Sequence, residues 1–182
     1  MSKIITCQAK CFMDKLVIEL PWLSNVIDLD ALKNNYPYDK ANDNPWRGVR
    51  CLEVGLDNNE MKEFYEKYHE NKHYAKPPTY WLTHKSEETW ISPHTDQTRE
   101  AVLLFPITPK THTINFLKDV NDSDSIMHSH TYKCPSIPHA KIPHCVFDKG
   151  IERWFLQISL YIKDYTWSNL VNWVDDGEIF AK

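Results

Sequence analysis

The chain changes character at Pro77-Pro78, and the stretch beyond those two prolines constrains its fold more than any other feature. Between residues 79 and 162, about seven short segments rich in β-branched, aliphatic and aromatic residues alternate with turn-forming ones. They run over 79–84, 88–91, 101–107, 113–117, 126–132, 142–147 and 153–162. Pro106 and Pro109, Asn121-Asp122-Ser123 and Asp148-Lys149-Gly150 punctuate them. Short strands in close succession, without helices between them, predict an antiparallel sandwich or jelly roll.

The residues before Pro77 read differently. Residues 15–20 form an aliphatic strand that Pro21 ends. Ser24 is placed to cap a helix with Asp28 in its first turn and Val26, Leu29 and Leu32 on one face, closed by Tyr36-Pro37. Residues 42–45 read as a loop and 50–54 as a strand. Asp57-Asn58-Asn59 caps a second helix whose Met61, Phe64, Tyr65 and Tyr68 recur at helical spacing, as a core-facing stripe does. After Thr166 comes a last helix, with Trp167, Leu170, Val171 and Val174 on one face. The expected organisation is one domain over 1–182: a helix-rich support (1–76), a jelly-roll core (79–162) and a C-terminal helix (163–182). The fold class is mainly β with flanking helices, and a chain of this length buries about two-thirds of its surface without a disulfide or structural metal.

Composition removes several function classes. A net charge of −4 offers no basic footprint for a nucleic acid. With only 4 glycines there is no Gly-rich phosphate loop, and neither Gly-x-Gly-x-x-Gly nor a Walker pattern occurs. No run is long and apolar enough for a membrane span, and the polar start lacks the apolar stretch of a signal peptide. The 5 cysteines contain no Cys-x-x-Cys pair; Cys7 and Cys11 could open a zinc site but lack a second pair, so reduced thiols in a cytoplasmic setting are expected.

Chemistry concentrates in the second half. In Trp90-Ile91-Ser92-Pro93-His94-Thr95-Asp96, an imidazole and a carboxylate stand two residues apart and leave the same face of an extended chain. With 9 histidines in the chain, one such triplet is close to what chance supplies. It gains meaning from His144 and Arg153. If the turn after residue 147 centres on Lys149, residue 145 pairs with 153 and 144 with 154, which makes His144 and Arg153 diagonal neighbours on one hairpin. In the return strand Trp154, Leu156, Ile158, Leu160 and Ile162 form an apolar face. Arg153, Phe155, Gln157, Ser159 and Tyr161 form a mixed one, suited to a polar pocket or to solvent. Two imidazoles and one carboxylate on one face of an octahedral ion leave three positions open, an arrangement that suits non-haem Fe(II). A guanidinium beyond them could hold a carboxylate through two parallel hydrogen bonds.

His94-x-Asp96, His144 about fifty residues on and Arg153 after it resemble the Fe(II)/2-oxoglutarate-dependent dioxygenases. The likeness covers roughly 79–162, their double-stranded β-helix core. It extends to the texts His94-Thr95-Asp96-Gln97-Thr98-Arg99 and Pro143-His144-Cys145-Val146, and in Arg99 and small size it touches the aspartyl/asparaginyl β-hydroxylase-like and phage-type branches. The resemblance implies Fe(II) held by His94, Asp96 and His144, with Arg153 on the distal carboxylate of 2-oxoglutarate. It implies consumption of O2, release of succinate and CO2, and hydroxylation of a C–H bond. Where some members pair the arginine with a serine two residues on, this chain has Phe155. The second cosubstrate partner then falls to Tyr80 or Arg99, unless Arg99 is an ion pair with Glu100 or another acid. His128-x-His130, with His139 nearby, could instead join a cupin-like metal site. A cupin-like enzyme without 2-oxoglutarate and a non-catalytic jelly-roll module are the alternatives, and Arg153 separates the first from an oxygenase. The prime substrate is expected to be a protein side chain or a small molecule.

Overall fold

The computed structural model describes residues 15–35, 42–44, 49–55, 57–109, 112–147 and 150–182. Cys7, Cys11, Tyr36-Pro37 and part of the turn at 148–150 lie outside them. Among the described residues eleven strands build two antiparallel sheets, in chain order β1 (Val17–Glu19), β2 (Asn42–Asn44), β3 (Val49–Glu53), β4 (Tyr74–Lys85), β5 (Ile91–His94), β6 (Ala101–Thr108), β7 (His112–Leu117), β8 (Ile126–Tyr132), β9 (Ser136–Pro138), β10 (His144–Val146) and β11 (Arg153–Ile162). The larger sheet has the order β1-β9-β6-β11-β4-β3-β2 and the smaller β5-β10-β7-β8. The two-sheet jelly roll expected from the strand rhythm is therefore the fold. Among the described residues three α-helices accompany it: α1 (Leu29–Asn34), α2 (Lys62–Tyr68) and α3 (Trp167–Asp175).

The alternation in β11 decides where each layer lies. Leu156, Ile158 and Leu160, all fully buried, join Phe64 of α2 and Leu170 of α3 in one core on the outer face of the larger sheet. Each such side chain contributes roughly 1.5–3 kcal/mol by leaving water, so most of the apolar stabilisation sits outside the sandwich. Phe155 points the other way, into a smaller cluster between the sheets with Val102, Leu104, Ile114, Phe116 and Tyr132. β6 lies between β9 and β11 and is buried on both faces, which accounts for its unbroken apolar run.

Local departures from the sequence expectation have local causes. The helix placed after Ser24 starts later: residues 21–23 form a 3-10 turn, and Asp28 caps α1 by accepting from the Ala31 N–H at 2.9 Å. α2 begins at Lys62 after Met61, without a side-chain cap from residues 57–59. Residues 42–44 are an edge strand on β3 rather than a loop. β4 runs straight through Pro77-Pro78, because those two prolines stand opposite the single residue Leu160 in a bulge: Thr79 pairs with Ser159 and Lys76 with Tyr161. The strand expected over 88–91 is instead a turn, with the Lys85 ammonium donating to the Ser86 and Thr89 carbonyls, and β5 covers Ile91–His94. α3 starts as expected, with the Thr166 hydroxyl accepting from the Asn169 N–H.

Candidate metal centre and its cavity

His94 ends β5 and His144 begins β10, and the two are direct cross-strand partners. Their rings stand 4.2 Å apart between centroids. The hairpin expectation is thereby corrected. β10 pairs with β5 and β7 in the smaller sheet, whereas Arg153 starts β11 in the larger one. A three-residue strand carries too little pattern to name its partner, and the nearest strand in sequence was the wrong one. Asp96 lies just past β5, where its backbone N–H donates to the Ala140 carbonyl at 3.0 Å. His94, Asp96 and His144 each bring one ligand atom to within 4.8 Å of the others, and they are the group of His, Cys, Asp or Glu that does so among the described residues.

Each imidazole is oriented by its own strand. Nδ1 of His94 lies 2.7 Å from the Ser92 carbonyl and Nδ1 of His144 2.9 Å from the Ile142 carbonyl. A carbonyl only accepts, so both Nδ1 atoms carry a proton, and Nε2 is the ring atom each histidine has left to offer a metal. Asp96 is oriented as well. Arg99 donates from Nε to Oδ2 at 2.8 Å and from Nη1 to the Ser159 hydroxyl at 3.2 Å, while Oδ1 is the oxygen 3.9 Å from His94 Nε2. Burial pushes the Asp96 carboxyl up, but the charge and hydrogen bond of Arg99 hold it below the usual carboxylate range. Arg99 thus belongs to the site as an ion pair with Asp96; Glu100 instead accepts from the Ile162 N–H.

The cluster opens into a cavity of about 80 Å³ between the sheets, also lined by Arg99, His112, Tyr132, Phe155 and Gln157. Arg153 is buried on the same face of β11 as Phe155 and Gln157. Directly opposite it on β4 stands Lys85, also buried. Desolvation and then the Arg153 charge lower the Lys85 ammonium. The same guanidinium adds to burial in pushing His112 down to about 3. Tyr132 is raised by burial, and the Arg153 charge opposes that rise. His112 and Tyr132 are cross-strand partners on β7 and β8, 5.9 Å apart between ring centroids. His112 Nε2 is buried without a hydrogen-bond partner among the described residues.

Tyr80 is not part of this cavity. Its neighbours Thr79 and Trp81 pair with Ser159 and Gln157 on the inner face, so Tyr80 itself faces outward. It packs there against Phe64 and Tyr65, with its hydroxyl 3.4 Å from His69 Nδ1. His128 and His130 lie on β8, at the edge of the smaller sheet, and His130 Nε2 stands 3.3 Å from Glu19 Oε1. His139 stacks on Trp167 at 4.4 Å. None of the three joins the converging group. His112, Tyr132 and Lys85 border the site without standing in any sequence motif. The signal for the first two was the shared face of His112, Ile114 and Phe116 against Tyr132, which becomes visible once β7 and β8 are paired.

No family model matches the chain, and no curated protein does at significance. Solved structures do. A prolyl-4-hydroxylase from Pseudomonas putida superimposes with a TM-score of 0.56 at 11% identity, covering 85% of this chain and 96% of that one. HygX from Streptomyces hygroscopicus, solved with nickel and 2-oxoglutarate bound, superimposes with a TM-score of 0.52 at 7% identity, covering 90% and 89%. These likenesses establish the fold over nearly the whole of each chain. No helix among the described residues is long and apolar enough to cross a membrane.

Proposed function

We propose that this chain is an Fe(II)- and 2-oxoglutarate-dependent oxygenase that hydroxylates a C–H bond. The observation that carries the reading is the convergence of His94, Asp96 and His144 with both histidines held through Nδ1 and Arg99 occupying the second carboxylate oxygen. A structural cluster of this kind would not need three separately oriented donors aimed at one point. The shared fold with a hydroxylase and with a protein that holds 2-oxoglutarate supports the same reading.

The residues present fit the cofactor and cosubstrate. Two neutral imidazoles and a carboxylate make a facial set that leaves positions for a chelating oxoacid and for O2. When bound, the ferrous ion supplies the redox chemistry that couples oxoacid decarboxylation to O2 use, with succinate and CO2 as co-products. The protein's share is to orient and exclude water. In this reading Arg153, buried on the same face of β11 as Phe155 and Gln157, receives the distal carboxylate. The Tyr132 hydroxyl, kept protonated by burial, and His112, whose buried Nε2 awaits a partner, replace Tyr80 in the cosubstrate pocket. Phe155 walls that pocket where some relatives of this chemistry place a serine. In this reading residues 79–162 are the catalytic core, and 1–76 and 163–182 support it.

An anaerobic Fe(II) titration with and without 2-oxoglutarate tests the proposal through the visible iron-to-oxoacid charge-transfer band. A band that Arg153→Ala weakens is the expected result. Iron binding without the band would favour a cupin-like enzyme, and no binding at all a non-catalytic module.

A further inference from the structure

The metal cavity opens into a wider groove of about 430 Å³ with which it shares Phe155, Gln157, Asp96 and Arg99. Organic ligands occupy pockets of roughly 300–1,000 Å³; the groove falls in that range and the inner cavity does not. The groove is therefore the space with room for the prime substrate, whose reacting carbon reaches the metal cluster past the residues the two spaces share. The larger cleft of about 500 Å³ beside Asp28, Pro106 and Lys133 shares no lining residue with the metal cluster, so it does not compete for this role.

The chemistry of the groove is specific. Thr83, Thr95, Gln97 and Thr98 line it with hydroxyls and a carboxamide, and Cys51 adds a thiol kept protonated by burial. Among the described residues lining it, Asp96 and Arg99 alone are charged, and they are bound to each other. A carboxylate, phosphate or ammonium entering here would lose its hydration without gaining an opposite charge. Gln157 stands where groove and cavity meet and makes no side-chain hydrogen bond among the described residues. Its carboxamide offers one acceptor and a two-hydrogen donor, the complement of another amide.

Resting on the oxygenase reading, we infer that the prime substrate presents an uncharged amide, as a peptide segment or a small carboxamide, and that Gln157 is the residue that reads it. The test uses saturation-transfer NMR on protein loaded with diamagnetic Zn(II) and 2-oxoglutarate. The probes are the N-acetyl amides of asparagine, glutamine, proline, aspartate and lysine. The three neutral amides should bind about tenfold more tightly than the two charged ones, a difference of about 1.4 kcal/mol. Gln157→Leu should weaken the neutral amides about tenfold, and Gln157→Glu should turn the preference toward the lysine amide. Thr83→Val, which alters the groove but not the inner cavity, should weaken them about threefold. A capped pentapeptide centred on asparagine that binds more tightly than the single amide identifies a peptide source; equal affinity identifies a small carboxamide. Equal binding of charged and neutral probes, no binding of any probe, or indifference to both Gln157→Leu and Thr83→Val would overturn the inference. The 2-oxoglutarate signals in the same samples keep the two readings apart: their absence in the parent protein counts against the oxygenase, whereas their presence without amide discrimination counts against this inference alone.

Discussion

Arg99 donates to Asp96 from Nε at 2.8 Å, on the carboxylate oxygen Oδ2, while Oδ1 turns toward His94. One side chain thus divides the carboxylate between a fixed oxygen and a ligating one, and a second bond to Ser159 on β11 anchors it to the opposite sheet. Removing partners of this kind typically costs 10–100-fold in metal affinity or activity. Arg99→Gln is expected to weaken Fe(II) binding by about that factor while 2-oxoglutarate affinity, measured at saturating metal, stays within about threefold. A preferential loss of 2-oxoglutarate binding would make Arg99 a cosubstrate anchor instead.

His94→Ala and Asp96→Ala are each expected to abolish iron binding and turnover and to leave the fold in place. The reason is spatial: the large apolar core lies on the outer face of the larger sheet, away from the cluster. Circular dichroism should show native strand content and a melting temperature within a few degrees of the parent, and a metal titration should show no saturable site. Full Fe(II)-dependent activity in either variant would reject the ligand set.

The two histidines and the aspartate show how far a sequence carries. That His94 and Asp96 face one way follows from their spacing in an extended chain, and the bounds of β11 follow from its alternation after the turn. That β10 joins β5 rather than β11 does not follow, because three residues hold too little pattern to choose a partner, and proximity in sequence favoured the hairpin. Tyr80 fails for a related reason: its strand was recognised but its parity was not, and a shift of one residue exchanges the two faces. His112 and Tyr132 are ordinary residues in ordinary strands until the β7–β8 register sets them side by side beneath Arg153's charge.

Tyr80 and Tyr132 therefore make opposite predictions. Arg153→Ala should weaken 2-oxoglutarate binding by tenfold or more, on the order of the 1.5–3 kcal/mol of a hydrogen bond to a charged group, with iron affinity largely kept. Tyr132→Phe should produce a smaller loss in the same measurement. Tyr80→Phe should leave it unchanged and lower stability by no more than about 1.5 kcal/mol, through the contact with His69 on the helix side. A Tyr80→Phe variant that lost cosubstrate binding would place the pocket on the wrong face of the sheet.

Acid should destabilise the protein before its carboxylates titrate. Burial, reinforced by the Arg153 charge, pushes His112 down to about 3, and burial pushes His139 down to about 4. Both are neutral when folded and titrate near 6.5 when unfolded. The unfolded chain therefore binds more protons below about pH 6.5, and the stability these groups contribute is fully present above that value and declines as pH falls toward 4. Each histidine removes about 1.4 kcal/mol per pH unit in this window. Asp96 acts in the same direction but lower in pH: its folded value lies below the usual carboxylate range, so its contribution is lost only as pH falls through and below that range. Urea unfolding followed from pH 7 to 4.5 should show a slope approaching two protons, falling by about one in His112→Asn. A flat profile, or a slope that His112→Asn leaves unchanged, would mean that His112 is reached by water and does not sit dry between the sheets beside Arg153.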